Sequence, residues 1–81
     1  MNELGEKALQ EELDWVRRRT DALARIEAKL LQMRELAIYA AGQNLNESEA
    51  IQVQEWINIL QSEINDIDKA TARNSRDTLA H

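Results

Sequence analysis

The 81-residue chain contains no Pro, Cys or Phe, only two Gly, and carries a formal net charge of −5. No Cys means no disulfide framework and no thiolate chemistry. The abundance of Ala, Leu, Glu, Gln and Arg points to one all-α domain over residues 1–81, small for a self-sufficient core. No stretch approaches the roughly 20 apolar residues of a membrane-crossing helix, and residues 1–6 lack the basic and apolar blocks of a secretory signal. We therefore expect a cytoplasmic chain, or one exported without a cleavable signal.

The first helix is expected from about residue 3 to 41. Its apolar residues run Leu9, Leu13, Val16, Thr20, Leu23, then Ile26, Leu30, Met33, Ala37 and Ala40. The steps alternate four and three, with one extra three between Leu23 and Ile26, a stammer that overwinds a heptad seam locally. One continuous helix is expected there, the alternative being a break at Arg19-Thr20-Asp21 with Asp21 as N-cap. Gly5 weakens the first turn by about 1 kcal/mol relative to Ala. Gly42 follows Ala40-Ala41 where a left-handed residue commonly closes a helix.

A turn over about residues 42–46 leads to a second helix at about 47–72. Asn46 is its expected N-cap, with Glu49 as the reciprocal capping-box acid and Glu47 favouring the positive end of the helix dipole. Leu45 and Ala50 stand at the staple positions. The seam reads Ala50, Val53, Ile57, Leu60, Ile64, Ile67 and Thr71 in unbroken steps of three and four, and Ile51, Trp56 and Ile59 form a second apolar strip beside it. One strip suffices for a hairpin; two imply burial on two sides, as in a bundle of three or more helices. Residues 73–81 lose the pattern and are expected to fray. The predicted architecture is a long antiparallel helical hairpin, coiled-coil in character, that assembles into a helical bundle. A second helix ending near Ala72 leaves the first dozen residues of helix one without a partner in their own chain.

Charge is segregated along the chain. Residues 1–14 carry −4, 15–36 carry +3, 37–68 carry −6 and 69–81 carry +2. Folding back near Asn44 sets the basic block against the acidic one, and the acidic N-terminus against the basic tail. This complementarity selects register and topology, since exposed pairs are worth only about 0–1 kcal/mol.

Little in the chain carries chemistry. Arg17-Arg18-Arg19, with Arg25, would suit phosphates, but consecutive residues splay about 100° apart on a helix and the flanking sequence is acidic, so no nucleic-acid partner is expected. Glu11, Glu12, Asp14, Glu47 and Glu49 read as a solvated face, because His81 is the sole histidine and no Glu-x-x-His pair accompanies them. There is no Ser-His-Asp set, no Cys-His pair and no Gly-rich phosphate loop. We expect no enzyme, cofactor, metal or small-molecule substrate, and no membrane association. Trp56 would lie largely in water in a lone hairpin, so with Ile51 and Ile59 it is a candidate partner contact. Trp15, one position off the seam, is another. Met33 reads as seam packing and Tyr39 as a cover for the turn end.

The string Ala22–Leu36, ALARIEAKLLQMREL, resembles the N-terminal D1 helix of bacterial flagellin. The following Ala37–Ser48 is similar to the segment leading through that family's polar turn. Val53-Gln54-Glu55 and Glu63–Thr71 resemble its next helix. The resemblance covers about residues 20–71, and Arg34, Glu35 and Leu36 are its best-matched residues. The family's terminal D0 helices have no counterpart, and Gln32 stands where the family carries an Arg recognised by an innate immune receptor. The resemblance implies a rod-like hairpin that packs with itself or with other flagellar or secreted helices. The candidate partner-binding set is thus Trp15, Arg34, Glu35, Leu36, Ile51, Trp56 and Ile59. The competing expectation is a small cytoplasmic adaptor or regulator whose hairpin forms a homo-oligomer, a dimer or larger.

Overall fold

Helix-forming residues fill both halves of the chain, and the apolar steps of three and four give each half one face to bury. The computed structural model describes residues 3–72, which form two α-helices, α1 (Glu3–Gly42) and α2 (Glu47–Thr71), packed against each other as an antiparallel hairpin. Its extents of 67 × 23 × 14 Å are those of a rod. α1 runs unbroken through Arg19-Thr20-Asp21, so Asp21 caps nothing. The expected fraying of residues 73–81, and the pairing of their basic residues with the acidic N-terminus, lie outside the described residues.

The seam of α2 is as the spacing predicts. Val53, Ile57, Ile64, Ile67 and Thr71 are half-buried and Leu60 is buried, while Ala50 at the helix start is exposed. The seam of α1 differs from the expectation. The residues turned towards α2 are Trp15, Arg19, Ala22, Ile26, Lys29, Met33, Leu36 and Ala40, in unbroken steps of four and three. There is no stammer. The irregular step between Leu23 and Ile26 arises from joining two separate rows, one facing α2 and one lying a single position further round the helix.

Charge and size decide which row faces inward. Arg19 and Lys29 bring cations to a helix whose residues 47–68 carry only acids, and both find partners there: Arg19 with Asp68 and Lys29 with Glu63. Their aliphatic stems cover the seam while the charged heads reach its edge. Ala22, 4% exposed, supplies a small residue to this row of long ones. The alternative row carries one cation, Arg34, offset by Glu27, which would face acids. Only Ala22 and Leu60 count as buried among the described residues. The core is therefore a single thin seam.

The turn is capped as expected at one end and not at the other. Asn46 has an extended backbone (φ −77°, ψ 173°), and the Glu49 amide donates to its Oδ1 at 2.8 Å, while the Asn46 amide donates to Glu49 Oε1 at 3.2 Å. The Ala50 amide donates to the Asn46 carbonyl at 2.9 Å, starting the helical ladder. Leu45, one of the two staple residues, is half-buried. Gly42, in contrast, is the last residue of α1 and no described glycine has a positive φ, so the left-handed closure does not form. The three residues Gln43, Asn44 and Leu45 reverse the chain without it.

Two substitutions check this account. A Cβ at Gly42 would meet nothing within 4 Å, so Gly42→Ala should raise stability by up to about 1 kcal/mol through better helix propensity. A fall in urea midpoint would instead mean that a left-handed residue is needed there. Asn46→Ala should lower stability by about 0.5–2 kcal/mol, and an unchanged thermal transition would place the start of α2 elsewhere.

Candidate functional site

The last carbonyls of any helix lack intrahelical partners. α2 has no glycine to close it: Ala72 is extended (φ −72°, ψ 140°). Side chains from α1 do the work. The Trp15 indole Nε1 donates to the Thr71 carbonyl at 2.9 Å, and Arg19 Nη1 donates to the Asp68 carbonyl at 3.2 Å and to Thr71 Oγ1 at 3.0 Å. Arg19 Nη2 also pairs with Asp68 Oδ1 at 2.7 Å, and the Thr71 hydroxyl donates to the Ile67 carbonyl at 3.2 Å. This latch locks the end of α2 to one place on α1. Midway along the rod, Lys29 Nζ meets Glu63 Oε1 at 3.0 Å.

Once the register is locked, each long side of the hairpin has a defined composition. At about 100° per residue, positions one after the seam residues fall on one side of an antiparallel pair and positions one before fall on the other. The "before" side is charged. It carries Asp14, Arg18, Asp21, Arg25 and Glu35 from α1 with Glu63 and Asp66 from α2. Open notches along this side confirm the pairing of the helices: Arg18, Asp21 and Arg25 share one with Asp66 and Ala70, and Gln32, Glu35 and Leu36 share another with Trp56. Trp56 and Ile59, 58% and 57% exposed, line a further notch with Gln52 and Glu55.

The "after" side is different. From α1 it presents Val16, Leu23, Leu30 and Ala37, a row that continues in steps of seven back to Leu9, with Leu13 beside it. Leu9, Leu13, Val16, Leu23 and Leu30 are 44–62% exposed. From α2 it presents the amides Gln54, Asn58, Gln61 and Asn65, with Gln54 Nε2 donating to Asn58 Oδ1 at 3.0 Å. Only Glu27, Arg34 and Asp68 bring charge here.

The predicted partner-binding residues fall in several places. Trp15 is drawn into the seam as part of the latch, and Leu36 is half-buried in the same seam near the turn. Glu35, Leu36 and Trp56 come together in one notch, and Trp56 adjoins Ile59. Arg34 is exposed on the leucine side. Ile51, 50% exposed, lies about 140° round α2 from Trp56, so the two do not share a strip as the sequence reading expected. Tyr39 is exposed beside the turn. Apolarity alone assigns the exposed leucine row to the seam; the signal that marks it as a separate row is the step of seven from Leu9 to Ala37.

Among the described residues no group of three His, Cys, Asp or Glu is placed to hold a metal ion, and no helix is long and apolar enough to cross a membrane. In comparisons with known proteins, no family model, curated protein or solved structure matches the chain.

The latch makes a graded prediction. Arg19→Ala removes three interactions and leaves the last carbonyls of α2 short of donors, so it should cost about 1–2 kcal/mol in urea unfolding. Lys29→Ala, which breaks one exposed pair, should cost at most about 1 kcal/mol. Equal losses would show that the latch contributes no more than a surface ion pair.

Proposed function

We propose that the chain is a non-enzymatic structural and interaction protein, a rod-like hairpin resembling the flagellin D1 region that packs with copies of itself or with other flagellar or secreted helices. The observation that carries this reading is the amount of apolar surface left uncovered. Side chains from Leu9 to Ile38 on α1, and Ile51, Trp56 and Ile59 on α2, remain about half or more exposed while only two described residues are buried. A hairpin with so thin a seam gains stability chiefly by burying its apolar rows against further helices. The string around Arg34, Glu35 and Leu36, followed by a polar turn and a second helix, supports the rod reading in particular. Glu35, Leu36, Trp56 and Ile59 then form the contact patch on the charged side, with an aromatic anchor of the kind that dominates helix-in-groove contacts.

Cell fractionation tests this. An antibody to the chain should detect it in culture supernatant or in sheared surface appendages of the cells that make it. Retention in the cytoplasm in complex with a single target would overturn the rod reading and favour a helical adaptor instead.

A further inference from the structure

We infer that the Trp56 patch on the charged side takes a basic amphipathic helix of another protein, with a lysine or arginine laid over the indole between Glu35 and Glu55. This rests on the interaction-protein reading above and names the partner's chemistry at one patch. The observation behind it is an uneven distribution of charge along that side. Towards the latch, carboxylates stand beside bases: Asp21 and Asp66 share a notch with Arg18 and Arg25, and Lys29 holds Glu63. Towards the turn they do not. Glu35 lines the notch that Trp56 shares with Gln32 and Leu36, Glu55 lines the one it shares with Gln52 and Ile59, and no base lines either. Neither glutamate forms an ion pair among the described residues. Arg34, the nearest base in sequence to Glu35, stands on the leucine side.

The patch therefore offers apolar contact and negative charge together. Trp56 and Ile59 are 58% and 57% exposed and stand one turn apart on α2, where the apolar face of a second helix can straddle them. An indole face attracts a cation within about 6 Å of the ring centroid, and a carboxylate on either flank adds to that attraction. The two glutamates also discriminate between occupants. An acidic helix is repelled, and a neutral one would strip water from both carboxylates and return no partner. A second copy of this chain docked through the same patch brings Glu35 and Glu55 against their own mates, and its Arg18 and Arg25 stand among Asp21 and Asp66. A helix from elsewhere, with Lys or Arg beside its apolar stripe, satisfies the ring and the carboxylates at once.

The probe is a fluorescein-labelled peptide of about 14 residues, enough for about four helical turns, built from Leu and Lys with one apolar face. Fluorescence anisotropy reads its dissociation constant on the full chain. The counterpart peptide with Glu for every Lys should not bind. Trp56→Leu, which keeps the patch apolar and removes the ring face, should weaken binding about threefold or more. Glu35→Gln with Glu55→Gln should weaken it about fivefold or more. Glu6→Gln with Glu11→Gln, which removes the same charge from the overhanging start of α1, should leave it unchanged. So should Leu23→Gln, on the leucine side. No binding, binding of the Glu peptide, equal losses from the two glutamate pairs, or a loss on Leu23→Gln with none on Trp56→Leu each overturns the inference. None of these results bears on whether the chain leaves the cell, so the rod reading stands or falls separately by fractionation.

Discussion

Arg19 reaches from α1 to the last turn of α2 and meets the Asp68 carboxylate, the Asp68 carbonyl and the Thr71 hydroxyl, while Trp15 takes the Thr71 carbonyl. These contacts matter beyond their own energy because the seam they close is smooth. A row of Val, Ile and Leu on α2 offers little to distinguish one register from the next, since slipping by a heptad would still bring apolar to apolar. Directional donors aimed at one helix end do distinguish them. The Lys29–Glu63 pair repeats the constraint further along with a single contact in place of the three that Arg19 makes.

Locking that register also determines what is left over. Arg19 and Lys29 can reach Asp68 and Glu63 only if the row containing Trp15, Ala22 and Ile26 faces inward. The leucines one position further round must then face outward along the whole of α1. The cost of satisfying charge in the seam is thus an uncovered apolar row, together with exposed Trp56 and Ile59 on the other side. With that row uncovered and only Ala22 and Leu60 buried among the described residues, most of the hairpin's apolar side chains stay in contact with water. The proposed rod reading rests on this shortage of cover.

The capping at the turn shows a division of labour between the two helix ends. Asn46 and Glu49 close the start of α2 using neighbours three residues apart, so that boundary needs no help from elsewhere. The end of α2 is closed by residues more than 50 positions away in sequence. One end forms with the local chain; the other forms only when the hairpin closes.

That division also explains how much was legible in the residues alone. Helix type, the span of each helix, the reversal near Asn44 and the Asn46–Glu49 box all depend on interactions within a turn or two, and local spacing and side-chain chemistry carry them. The faces of α1 were not legible in this way. Its two rows of seven-residue repeats lie one position apart, and hydrophobicity favours the leucine row, which is why reading by apolarity joined them across Leu23 and Ile26. Gly42 likewise looked like a left-handed stop because Gly after Ala-Ala is a common one, yet the chain turns just beyond it. What chose the inward row was charge on the other helix, acting through Asp68 and Glu63, together with carbonyls that exist as acceptors only where α2 ends. Such partners are distant in sequence and adjacent only after folding, so the tertiary structure alone could decide which leucines face the water.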